Sequence, residues 1–229
     1  MVTEQEYIEY LIQQINMLPY NDVKEVTLKR KEYLVRAGED LGDIYIMKQG
    51  VVITSLKGAN ERLVNLKYMI DPGIVTLLTE EESGGRNKQP VDVLVDSTQA
   101  TFLQVNREKF WKLFNQDAKL SEYLKLYYRR KINEYINQIR VQTSNNKTGN
   151  VCAFLYECGQ LFGKPSENET VVIKHRITQG TIAEFCGITT RNSVSRIMLN
   201  LSKLNIIDNS GKYILIRDMH YLKGYVQKN

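Results

Sequence analysis

Between Asn106 and Gln142 the sequence contains neither glycine nor proline. Within that stretch Leu124, Tyr128, Ile132, Tyr135 and Ile139 are separated by 4, 4, 3 and 4 residues, the rhythm of one apolar face on a helix. The spacing predicts a long amphipathic helix in the middle of the chain. Leu120, Tyr123 and Tyr127 widen its apolar side, so more than one surface is expected to touch it. One face could pack on the domain before it and another on a second subunit, coiled-coil fashion. The alternative is a helix packed on its own domain alone.

The sequence on either side of this helix differs in kind. Residues 3–18 place Tyr7, Ile8, Leu11, Ile12, Ile15 and Leu18 at helical spacing, predicting a short leading helix. From Val26 to Val105 come short runs rich in Val, Ile, Leu, Thr and Tyr, among them DIYIMKQG, VVITSL, RLVNLKYM, VDVLV and ATFLQV. Glycine-bearing turns separate them: AGEDLG, KGANE, DPG and EESGGRNKQP. Many short strands between turn signals predict a β-sandwich or barrel. Beyond the long helix, TSNNKTGN (143–150) is polar and turn-rich and reads as an interdomain hinge. An apolar helix (VCAFLYECGQLFG), a loop (KPSENET), a short strand (VVIKHRI) and small helices with a terminal hairpin complete the chain.

The C-terminal stretch ITQGTIAEFCGITTRNSVSRIMLNLSKLNIIDNSGKYILI has its own logic. Thr178 can cap a first helix, whose apolar face is Ile182, Ala183 and Phe185. Gly187 stands where a tight turn requires a positive φ. Thr189 or Thr190 can cap a second helix, held to the domain by Val194, Ile197, Met198, Leu201 and Leu204. That leaves Arg191, Asn192, Ser193 and Arg196 around its exposed start. Two β-rich pieces around Asn-Ser-Gly-Lys then signal a hairpin. This is the plan of a winged helix-turn-helix. In such a plan arginine can donate twice to guanine and asparagine can pair bidentately with adenine. Ser193 and Thr190 suit phosphate oxygens, Lys212 at the wing tip suits a neighbouring backbone, and Thr178 and Gln179 at the start of the first helix complete the candidate DNA-binding set. The net charge of +5 and pI of about 8.9 permit such a partner without establishing it.

The sequence resembles the CRP/FNR family of bacterial transcription regulators along essentially its whole length. The most specific match is ITQGTIAEFCGITTRNSVSRIMLNL; AGEDLGDIYIMKQG is similar to the family's barrel motif through Gly38, Tyr45 and Gly50. RLVNLKYMIDPGIV and MHYLKGYV look closest to the PrfA-like branch. The resemblance implies an α+β chain: a cyclic-nucleotide-binding-like β-barrel (jelly roll) over 1–110, a dimerisation helix over 111–142, and a winged helix-turn-helix over 143–229. It implies a homodimer on a palindromic double-stranded DNA site, with RNA polymerase as a further partner. Arg191 and Arg196 match the family's guanine-reading arginines, whereas Asn192 stands where well-known members have glutamate. Ser193 and Thr190 match backbone-contacting positions. In the barrel, Ile74 replaces the glutamate of the cyclic-nucleotide binders, and Arg86 is followed by Asn and Lys. Without the arginine clamp a phosphate is poorly held, so control is expected from a small molecule of unknown identity other than cyclic AMP, or from redox state.

Other classes fit less well. No Gly-x-Ser-x-Gly, phosphate loop or His-Glu-x-x-His occurs, so no enzyme is expected. A four-thiolate iron–sulfur cluster cannot be built from Cys152, Cys158 and Cys186 within one chain. These cysteines read as buried small hydrophobes, with a thiol switch as the alternative. His175 and His220 read as structural or exposed rather than as haem ligands. No window approaches the ~20 apolar residues of a membrane span, and MVTEQEYIEYLIQQ lacks a basic region before an apolar run, so the expected location is the cytoplasm. A second functional reading is an effector-binding signalling module whose wing domain contacts protein rather than DNA.

Overall fold

The computed structural model describes residues 3–58, 61–70, 72–77, 80–82, 86–166, 170–209, 211 and 213–226. Contacts divide the chain into two compact units, Met1–Lys131 and Ile132–Asn229.

The first unit opens with α1 (Glu4–Asn16). Thr3 starts it with a capping box, its side chain accepting from Glu6 N–H while the Glu6 carboxylate accepts from Thr3 N–H, which satisfies two donors at the helix start. Strands follow: β1 (Val23–Lys29), β2 (Tyr33–Val35), β3 (Asp43–Gln49), β4 (Val51–Lys57), β5 (Leu63–Ile70), β6 (Gly73–Ile74), β7 (Glu80–Glu82), β8 (Arg86–Lys88), β9 (Asp92–Val95) and β10 (Gln99–Asn106). They form two antiparallel four-stranded sheets, β1-β10-β3-β6 and β2-β9-β4-β5, with β7 and β8 as a separate pair.

Strand alternation explains the layering. On β10, Ala100 and Phe102 join Met47, Val52, Val93 and Val95 in one core cluster, contributed by both sheets. Leu103 and Val105 point the other way, into a second cluster with Ile44, Ile46 and residues of the helices. The first sheet is therefore apolar on both faces, one toward its partner sheet and one toward helices. Gly50 turns β3 into β4 with φ +124°, and an added Cβ there would lie 2.5 Å from the Cβ of Ala100. Only glycine fits so close an approach.

The long helix differs from the expectation of one run from Asn106. It is two helices, α2 (Arg107–Gln116) and α3 (Ala118–Ser144). Asp117 breaks them apart in an extended conformation, φ −111°, ψ 112°. Its carboxylate accepts from Leu120 N–H at 3.0 Å and from the Tyr10 hydroxyl at 2.6 Å. Aspartate competes well for such local donors and so favours a helix start over a helix interior. α1 and α3 are joined further by Tyr7 stacked on Tyr123 at 5.3 Å, the Lys119 ammonium 4.1 Å from the Tyr10 ring centre, and an ion pair between Glu4 and Arg130. Ile74 on β6 is 1% exposed within the same core cluster, so the position that the resemblance matches to the nucleotide binders' glutamate holds a buried apolar side chain. Arg86 lies on β8, and its side chain is outside the described part of the structure.

In the second unit α4 (Lys147–Phe162) is followed by β11 (Gly163–Pro165), β12 (Val171–Ile173), α5 (Gln179–Phe185), α6 (Arg191–Lys203), β13 (Ile207–Asp208), β14 (Ile214–Ile216) and α7 (Met219–Lys223). The expected hinge at 143–150 is mostly helical. α3 continues through Ser144, and Asn146 caps α4 by accepting from Gly149 N–H at 2.9 Å. The polar residues that suggested a loop are instead bonding back to their own helix, Thr143 to the Ile139 carbonyl at 2.8 Å and Ser144 to that of Arg140 at 2.7 Å. The strand expected over VVIKHRI stops at Ile173. Gly163–Pro165, expected as the end of a helix and a loop, pairs with it as an extra strand, giving the order β11-β12-β14-β13.

Candidate nucleic-acid interface

α5 and α6 form the helix-turn-helix, and local chemistry fixes both starts. Thr178 caps α5, accepting from Thr181 N–H at 3.1 Å. Gly187 makes the turn with φ +63°, and Ile188 behind it is fully buried. Of the two threonines available, Thr190 caps α6, accepting from Ser193 N–H at 3.3 Å, and its hydroxyl also meets that of Ser193 at 2.8 Å.

Val194, Met198 and Leu201 are the buried face of α6. Ile197 is half-buried, and Leu204, expected in the core, is 59% exposed because the helix has ended before it. At about 100° per residue, Asn192, Arg196, Leu199 and Lys203 fall within roughly 60° of one another, opposite the buried face. All four are exposed. Arg191 stands on the flank instead. A Cβ on Gly180 would lie 3.3 Å from its Nε, so this guanidinium passes over the first turn of α5. Gln179 is also tied across the motif, its Oε1 accepting from the Ser195 hydroxyl at 2.7 Å. That bond takes up one of the two lone pairs of the amide oxygen.

The structure thus brings Thr178, Gln179, Thr190, Arg191, Asn192, Ser193 and Arg196 together at the starts of two adjoining helices. All are exposed except Ser193, which is half-buried. Lys212 lies outside the described residues. The wing strands on either side of it pair as Ile207 with Ile216 and Asp208 with Leu215, and Arg217 bridges to Asp208 at 2.9 Å. Sequence reasoning passed over Gly180, Ser195, Leu199 and Lys203. The last two were within reach, since they continue the Asn192–Arg196 spacing by 3 and then 4 residues. Gly180 and Ser195 matter only through contacts between helices, which no spacing within one helix discloses.

The thiols are buried. Burial pushes Cys152 up to about 12 and raises Cys158 and Cys186 as well, with Glu157 adding to the rise for those two. His175 stacks on Phe162 at 4.3 Å, and His220 is exposed on α7. Among the described residues no group of three or more His, Cys, Asp or Glu side chains could hold a metal ion, and no helix is long and apolar enough to cross a membrane.

A helix-turn-helix with a strand wing, in a chain that also carries a two-sheet roll and a long helix, is the architecture of a DNA-binding transcription regulator. Comparison with known proteins agrees. Residues 150–225 match the model of the Crp-like helix-turn-helix domain. The chain is 36% identical over 215 residues to the lactate racemization regulatory protein of Lactiplantibacillus plantarum, covering 94% of this chain and 95% of that one. It is 26% identical over 205 residues to the anaerobic regulatory protein of Bacillus subtilis, covering 86% and 83%. Among solved structures, FixK2 from Bradyrhizobium japonicum has a TM-score of 0.74 at 16% identity, covering 90% of this chain and 98% of that one. A CooA mutant from Carboxydothermus hydrogenoformans also has a TM-score of 0.74, at 15% identity, covering 95% of each. The structural likenesses establish the fold. With the close relative spanning nearly the whole length, the chain belongs to the CRP/FNR family of transcription regulators.

Proposed function

We propose that this regulator acts in the cytoplasm as a homodimer on a palindromic promoter site, where it meets RNA polymerase, and that it belongs to the PrfA-like branch. In this reading residues 1–110 sense, 111–142 dimerise and 143–229 bind DNA. Arg191 and Arg196 read guanines, Asn192 reads adenine, and Thr178, Gln179, Thr190, Ser193 and Lys212 hold the sugar-phosphate backbone. The observation that carries the reading is the outward stripe of α6, with Asn192 and Arg196 opposite a buried apolar face. Support for the dimer comes from α3, where Ile132, Ile136 and Ile139 are 58%, 56% and 60% exposed at spacings of 4 and 3. A second copy of the same helix would cover them.

The effector is a small molecule other than cyclic AMP. Ile74 supports this, being a buried apolar side chain with its carbonyl 3.4 Å from the Tyr127 hydroxyl. The relative that regulates lactate racemization directs the first ligand assays to D- and L-lactate. Two measurements test the proposal. Selection from random DNA should enrich a palindrome with half-site centres about one turn, ~34 Å, apart. Calorimetry should show no low-micromolar binding of cyclic AMP. Selection that enriches no palindrome, or tight cyclic AMP binding, would overturn the corresponding part.

A further inference from the structure

We propose that Leu199 is a base-reading residue whose side chain packs on the C5-methyl group of a thymine, next to the base pair that Arg196 reads. The inference rests on the DNA-binding reading of α6. Leu199 is 56% exposed and shares the outward stripe with Asn192, Arg196 and Lys203. Asn192 and Leu199 are two turns apart, the span over which a helix in the major groove reaches base edges. Leu199 lies ~4.5 Å along the helix axis from Arg196, comparable to the ~3.4 Å rise of one base pair.

Chemistry selects the base. Leucine has no donor or acceptor, and in the major groove the apolar feature of a base edge is the thymine methyl. Against a cytosine amino group or a guanine carbonyl the same side chain would displace water and return no hydrogen bond, which disfavours those bases. Leu199 thus both attracts thymine and repels G·C pairs, between two polar neighbours that hold the helix in register.

The test uses the full chain and its best selected site. Each thymine is replaced in turn by deoxyuridine, which removes the methyl and keeps every hydrogen bond, and each guanine by 7-deazaguanine, which removes the N7 acceptor. Wild type should lose about 2- to 5-fold in affinity at one thymine per half-site. Leu199→Ala should lose a similar factor on the unmodified site, show no deoxyuridine penalty at that thymine, and keep the 7-deazaguanine penalties. The exposed position leaves the fold intact in this variant. Guanine penalties with every thymine silent, or an equal deoxyuridine penalty in both proteins, would overturn the role of Leu199 alone. A wild type with no preferred site and no guanine penalty would overturn the DNA reading and this inference together.

Discussion

Arg191 and Arg196 carry the same functional group but stand on different sides of α6. Arg196 lies on the outward stripe, while Arg191 passes over Gly180 at the start of α5. Arg196→Ala should cost roughly 1–3 kcal/mol on the best site and relax preference at one base pair per half-site. Asn192→Glu should shift the preferred base at its position from adenine toward the partner of a guanine, since glutamate accepts from cytosine. Binding of each variant to single-base site variants at fixed salt checks both; a uniform loss across the panel for Arg196→Ala would show that it holds phosphate instead. The thiols give an independent prediction. With Cys152 raised to about 12, about one thiol in 10⁵ is ionised at pH 7. Folded protein should therefore resist alkylation at neutral pH and react at all three cysteines in denaturant. Rapid labelling of the native protein would revive the thiol switch. Cap residues and apolar spacing made the Thr178 cap and the exposed place of Arg196 legible in the sequence and narrowed the second cap to Thr189 or Thr190, because each depends only on its own helix. The flank position of Arg191 follows from the same spacing, but its passage over Gly180 does not, because that contact belongs to another helix.

Among the elements, the break between α2 and α3 shows where local reading stops. Absence of glycine and proline suggested one helix, yet one aspartate with a distant partner, the Tyr10 hydroxyl, ends it. That bond has a pH signature. The Tyr10 hydrogen bond, with help from the Leu120 and Lys119 amides, lowers the Asp117 pKa. A group with a depressed folded pKa contributes stability that is present above its unfolded value, ~4, and is lost as pH falls through the folded value. Tyr10→Phe should accordingly lower Tm at pH 7, by an amount that shrinks as pH drops below about 4. A constant difference down to pH 2 would show that the phenol acts by packing alone. The strands were readable because alternation and glycine turns are local signals, and the roll follows from them. The polar stretch 143–150 was misread for the converse reason: Asn146 and Thr143 are as much at home capping or back-bonding a helix as in a loop. The strand Gly163–Pro165 carries no alternation long enough to detect, and exists because β12 offers it an edge.

At the scale of the whole molecule, the proposed dimer links the exposed isoleucines of α3 to the outward stripe of α6. Ile132, Ile136 and Ile139 each leave more than half of their surface in water, where covering an isoleucine is worth up to ~1.5–3 kcal/mol. A two-fold pairing of α3 would bury them in both copies and present two recognition helices to two half-sites. Ile136→Lys tests this without touching the core, since in the proposed dimer it would set two ammonium groups against each other across the seam. The expected outcome is a monomer by sedimentation at micromolar concentration, with unchanged far-ultraviolet circular dichroism. DNA binding should then separate into its parts. Affinity for an isolated half-site should stay as in wild type, because α6 is unaltered. Affinity for the full palindrome should fall by about 10²–10⁴, the factor lost when a second contact is no longer linked to the first. The salt slope on the palindrome should fall to about half, as half the phosphate contacts vanish. If Ile136→Lys remained dimeric and kept the full salt slope, the exposed stripe would have another use and the dimer would be made elsewhere.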